Sequence, residues 1–259
     1  KACFEFVKEQ TLDFEERIKS NLYLAKILVT NNDENAEEFF VNLINQFGIS
    51  NNTIPIQLEY ASFLTFTKNQ PKKATEILER ALELSNSKFQ EARVKLQLGD
   101  VLVYQERYNK ALIYYSQIQT KLKNHQLAQQ ARFKVAQTSY FKGDFEWAKA
   151  QLKVLKGSTT QLIANDAVEL YLKIMDNEPV DSIPSGLKQL ARAELLAYQN
   201  KDEQALIVVE DLFKSDRINV TPGEAIYDDL LFFKTKLLLK QKKYDEAILS
   251  LAKIIAADN

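Results

Sequence analysis

Few side chains in this sequence have the type and spacing that covalent chemistry requires. The only histidine, His125, stands between Asn124 and Gln126 in a stretch that reads as a solvated loop. The only cysteine, Cys3, has no base near it in sequence. Its place on an apolar terminal stripe predicts core packing. One cysteine and one histidine cannot assemble a structural zinc site, which takes several such ligands. A lone cysteine also forms no intrachain disulfide, so cysteine usage fits either redox compartment. Adjacent carboxylates occur at Glu15-Glu16, Glu37-Glu38 and Asp228-Asp229, and carboxylate pairs held at the right separation hydrolyse glycosides. Glu15-Glu16 adjoins Arg17, and all three pairs read as solvated helix faces. With no G-x-G-x-x-G or Walker-type loop, nothing points to a nucleotide. The expectation is a protein that is not an enzyme and needs no metal or cofactor.

Composition dictates which elements could position a site. Six Gly and five Pro make 11 of 259 residues, about 4% against roughly 12% in average proteins. Turns must therefore be few, which excludes an all-β sandwich or barrel and leaves mostly helix. Lys and Arg total 34 and Asp and Glu 35, a formal net charge of −1. No global field draws nucleic acid or an anionic membrane, and no apolar run of about 18 residues is present to span a bilayer. The sequence opens at Lys1 without a basic-then-apolar leader pattern. It is expected to be a piece of something longer, with residues 2–7 ending a helix whose partner lies upstream.

One small residue recurs at the start of amphipathic helices: Ala36, Ala74, Ala111, Ala148, Ala205 and Ala247, in steps of 38, 37, 37, 57 and 42. Four residues after each comes a large apolar side chain, Phe40, Leu78, Tyr115, Leu152, Val209 and Leu251. Seven after each comes Leu43, Ala81, Ile118, Leu155, Leu212 or Ile254, so each helix carries one buried stripe. Upstream lie second helical patterns such as Ala92–Gln105, Gln130–Lys142 and Glu224–Lys240, joined to the first by turns of a few residues. Such short connections force antiparallel hairpins, and a hairpin buries both apolar faces only by stacking on neighbours. The long step leaves room for one extra helix, Gln161–Met175, with Leu162, Ala167, Leu170, Tyr171 and Ile174 as its stripe. The breaker-rich stretch 176–186 then reads as a hinge. The predicted division is an amino-terminal stack over 1–158, an extra helix and hinge over 159–186, and a carboxy-terminal stack over 187–259.

Leu98-Gly99, Tyr108, Ala111 and Tyr115 in one unit resemble the tetratricopeptide repeat (TPR) family. So do Val135-Ala136, Gly143, Phe145, Ala148 and Leu152 in the next, and Tyr244 and Ala247 in the last. That pattern places Leu-Gly in the first helix, Gly-x-[Tyr/Phe]-x-x-Ala across the turn, and an aromatic four residues beyond. HEAT-type repeats, with periods near 40, are the competing architecture; the Gly-Asp-Phe turn and the alanine spacing favour TPR. The resemblance implies an all-α fold, an α-solenoid wound as a right-handed superhelix of about six hairpins plus one extra helix. The stretch 128–167 is similar to bacterial multi-repeat TPR proteins, many of them associated with the cell envelope, which implies a periplasmic location.

In that family the first helices of successive hairpins line a concave face. Transferred residue by residue, this places Gln97, Asp100 and Tyr104 on one helix and Lys134, Gln137 and Phe141 on the next, bordered by Arg93 and Tyr140. Mixed amides, charges and rings suit an extended peptide, the rings burying area while the polar groups fix its backbone. The plainer reading makes the aromatics inter-repeat packing. The expected function is a scaffold that binds a protein or peptide. The alternative is a glycan-binding or glycan-acting protein using carboxylates and rings of the same face. A clamp for chaperone carboxy-termini is argued against: the Lys and Asn it needs are Leu96 and Asp100 here, and Phe133 and Gln137 in the next unit, and an Asp repels a carboxylate. Trp147 is expected to pack on the extra helix.

Overall fold

The computed structural model describes residues 2–157, 161–178, 185–215, 218 and 220–257. Among them the chain is all-α, without a strand. The helices are α1 (Ala2–Gln10), α2 (Phe14–Thr30), α3 (Ala36–Phe47), α4 (Ile54–Phe66), α5 (Pro71–Leu84), α6 (Lys88–Tyr104) and α7 (Tyr108–Lys121). They continue as α8 (Gln126–Lys142), α9 (Phe145–Leu155), α10 (Gln161–Asp176), α11 (Leu187–Tyr198), α12 (Asp202–Phe213), α13 (Ala225–Lys240) and α14 (Tyr244–Ala257). No described helix is long and apolar enough to cross a membrane.

Two compact units result, residues 1–122 and 123–259. In the first, α1 packs on α2, and the hairpins α2/α3, α4/α5 and α6/α7 stack in chain order, α4 against α2 and α3, α6 against α4 and α5. In the second, α8/α9, α11/α12 and α13/α14 are the hairpins. The helix α10 lies against both α9 and α8, while α11 also packs on α8 and α13 touches α10, α11 and α12.

The six alanines behave as their spacing requires, each 0–2% exposed at a helix contact. Phe40, Leu78, Tyr115, Leu152 and Val209 are equally buried. Leu251 departs from the rule at 38% exposed. Wherever a following helix covers the stripe it is closed off from water, but α14 packs on α13 alone among its principal neighbours, leaving Tyr244, Ile248 and Ile255 exposed as well.

The hairpin turns share a device that composition hides. One residue in the left-handed region closes each first helix: Asn32, Asn69, Glu106, Gly143, Asn200 and Lys242. Each turn is closed by a backbone bond reaching back over the last helical turn, such as Arg107 N–H to Leu102 O, Asp144 N–H to Ser139 O and Lys243 N–H to Leu238 O, the Schellman arrangement. Glycine fills this role once; Lys242, with a φ of 61°, bears the Cβ penalty of that region. Lys242→Gly is expected to stabilise the fold by about 0.5–1 kcal/mol, read as a higher urea midpoint; a lower midpoint would contradict the turn assignment.

Several expectations are corrected. The helices α6 and α8 start four residues earlier than their apolar patterns suggest, because side chains cap them: Ser87 Oγ accepts from Gln90 N–H and His125 Nδ1 from Leu127 N–H. Cys3 is exposed; α1 packs chiefly on α2, where Phe4 stacks on Tyr23 at 4.7 Å. Trp147 is 51% exposed rather than packed, since it precedes the inward Ala148 and points off the buried stripe. On α10 the inward residues are Ile163, Ala167, Leu170 and Ile174, which join Leu152 and Leu155 of α9 and Leu187 and Ala191 of α11 in one core; Leu162 faces solvent. Residues 179–184 of the expected hinge lie outside the described residues.

Candidate functional site

In the first unit, Arg93, Gln97, Asp100 and Tyr104 recur at helical spacing along α6. Arg93 is exposed, and Gln97 and Asp100 are half-buried. Tyr104 is buried: its ring meets Phe66 edge-on at 5.5 Å and its hydroxyl donates to Asn69 Oδ1 at 3.0 Å. Burial raises its pKa. Tyr104 thus serves the packing of α6 on α4, which corrects its expected place as an open contact. Asp100 Oδ1 accepts from the Tyr115 hydroxyl at 2.8 Å, tying α6 to α7. Tyr115→Phe removes this bond from a buried site and is expected to cost about 1 kcal/mol, measured by denaturant unfolding; no loss would make the bond energetically idle.

In the second unit, Lys134, Gln137 and Phe141 lie half-buried on α8. The Lys134 ammonium stands 5.9 Å from the centre of the Tyr198 ring of α11, and the Phe141 ring is 5.8 Å from the same ring. Tyr198 was absent from the expected set. The signal for it is the repeat itself: Tyr198 precedes Ala205 by seven residues, as Tyr104 precedes Ala111 and Phe141 precedes Ala148. Tyr140 is 1% exposed, 5.8 Å from both Phe141 and Phe145, and so corrects to a core residue.

The same unit holds a polar cluster drawn from four helices. Lys173 Nζ of α10 pairs with Glu194 Oε1 of α11 at 2.6 Å. Asn177, just past α10, donates through Nδ2 to Asp229 Oδ2 of α13 at 2.6 Å and to the Lys173 carbonyl at 2.8 Å. Burial, then the nearby Glu194 and Asp229 carboxylates, push the Tyr140 phenol of α8 well above its ordinary pKa. Burial works against the Lys173 ammonium, but Glu194 and Asp229 outweigh it and hold its pKa above the usual value. Asp229, expected to be part of a solvated carboxylate pair, is instead half-buried. Its carboxyl is raised, chiefly by burial, although Asn177 and Lys173 pull it down. Among the described residues no three His, Cys, Asp or Glu gather in a metal-binding arrangement.

The raised Asp229 carboxyl has a definite sign. The fold favours its protonated form, so this group's contribution to stability becomes more favourable as pH falls through the folded pKa towards the unfolded one. Asp229→Asn is therefore expected to raise the melting temperature at neutral pH and to remove this component of the pH dependence. A lowered melting temperature at neutral pH would mean that attraction to Lys173 exceeds the burial cost.

No protein-family model matches the chain, and no curated protein matches it. Among solved structures, the chain is similar to a tetratricopeptide repeat protein from Parabacteroides merdae, with 15% sequence identity, 93% of this chain and 93% of that chain covered, and a TM-score of 0.46.

Proposed function

We propose that the protein is a non-catalytic interaction scaffold that holds a protein or extended peptide on the faces formed by the first helices of its hairpins. The observation that carries this reading is the meeting of Lys134, Phe141 and Tyr198 on α8 and α11, a cation and two rings left partly open to solvent. Rings that are already packed against each other lose little conformational freedom on binding, and the adjacent Gln137 amide can both donate to and accept from a peptide backbone. In the first unit, Arg93, Gln97 and Asp100 offer a polar face without an open ring. Chemistry on a glycan has less support, since Glu194 is engaged by Lys173 and Tyr140, behind the open rings, is buried.

The test is selection of peptides from a random display library on the purified chain, followed by fluorescence anisotropy with the best binder. Phe141→Ala is expected to weaken binding by roughly tenfold, the loss of one anchoring ring of about 1–2 kcal/mol. Lys134→Ala should weaken it less. Affinity indifferent to both changes, or a library without binders, would overturn the reading.

A further inference from the structure

We infer that the polar cluster of α10, α11 and α13 is a subsite for one cationic side chain of the bound peptide, a lysine or arginine whose head reaches Asp229 and whose aliphatic stem runs along Tyr198 and Phe141. The inference rests on the peptide-binding reading above and names what that surface selects.

Charge is the first support. Glu194 and Asp229 are two carboxylates against the single ammonium of Lys173, which is spent on Glu194 at 2.6 Å. Asp229 receives only the neutral Asn177 amide at hydrogen-bond distance among the described residues, and the Asp176 carboxylate adds to the negative field on it. A half-buried carboxylate without a full counter-charge gains most from a cation delivered by a ligand.

Asn177 is the second, independent support. It is 3% exposed, and while its Nδ2 faces Asp229, its Oδ1 accepts from no described group. A buried amide oxygen left unpaired is costly. An ammonium or guanidinium arriving at Asp229 brings several N–H donors and can serve both acceptors. An apolar side chain would leave Oδ1 unpaired, and an anion would meet the carboxylates.

Continuity with the open patch is the third. Glu194 and Tyr198 lie one turn apart on α11 and share a face. Tyr198 meets Phe141 at 5.8 Å, and Tyr198, Phe141 and Glu194 all keep part of their surface open, while the buried Tyr140 backs the patch and adjoins Glu194 from the core side. Long cationic side chains lay their methylenes along such rings while the head finds a polar end. The cluster is not sealed, since the Lys173 and Glu194 side chains each keep 17% of their surface exposed.

The experiment uses the displayed-peptide binders and the full chain. Enriched peptides are expected to share one Lys or Arg, and replacing it with norleucine should weaken binding at least tenfold to the wild-type chain. Against Asp229→Asn, a near-isosteric change, the lysine and norleucine peptides should bind with affinities within about threefold of each other. The peptide substitution requires no change to the protein, so a poorly folded variant cannot mask the outcome. Binders without a shared basic residue, or a norleucine penalty equal in wild type and Asp229→Asn, would overturn the subsite and leave the peptide-binding reading standing. A library without binders would overturn both.

Discussion

Gly99→Ala is expected to destabilise the first unit by about 2 kcal/mol, after allowing for the roughly 0.5–1 kcal/mol that alanine gains over glycine within a helix. A Cβ at Gly99 runs into the ring of Tyr115 and comes to 2.8 Å from its hydroxyl oxygen. The ring has nowhere to retreat. It is fully buried on α7, and its hydroxyl is held by Asp100, the residue next to the glycine. Either α6 and α7 separate or the ring leaves its rotamer, and both give up packing at the centre of a hairpin. Denaturant unfolding reads the loss. Pairing Gly99→Ala with Tyr115→Leu should recover part of it, because the two changes act at one contact. If Gly99→Ala instead proves stabilising, helix propensity outweighs the contact and the close approach of α6 to α7 is wrong.

Ala148→Leu is expected to cost about 1–3 kcal/mol, and Ala111→Leu a similar amount. Ala148 is fully buried at the crossing of α8 and α9, in one cluster with Ala136, Leu152 and Ala167. Three added carbons must displace neighbours that are themselves buried. The exposed Ala150, two residues along the same helix, is the internal control: Ala150→Leu should leave the melting temperature within about a degree or two, as surface substitutions do. Unchanged melting temperatures for both Ala111→Leu and Ala148→Leu would remove the small-residue crossing as the basis of the stacking.

The alanine effect was legible because it depends on local order, whereas the Gly99 contact depends on how the Tyr115 ring of α7 lies against α6. A small residue followed at four and seven by large apolar ones defines one stripe on one helix, whatever surrounds it. The same holds for the turn at Gly143, whose φ of 86° ends α8, and for Pro71, which opens α5. The start of α8 was less legible, since its cap is a histidine side chain rather than one of the usual cap residues. Tyr104 and Tyr140 show the limit on the functional side. Helical spacing places a residue on a face, but whether that face is open depends on which side chains of its own and neighbouring hairpins pack against it. Phe66 and Asn69 cover one; Phe141 and Phe145 pack against the other.

By itself the sequence determined the helical hairpins, their six buried alanines and the presence of an additional helix in the long step, because 3.6-residue periodicity and turn chemistry are properties of short segments. Only the tertiary structure decided that this helix packs on α8 and α9. There it carries Lys173 and Asn177 to Glu194 and Asp229, 21 and 52 residues further along the chain. The pairing of charges across helices is set by which helices touch. No local pattern of residue types encodes that, because a solvated carboxylate and a half-buried one are written with the same letter.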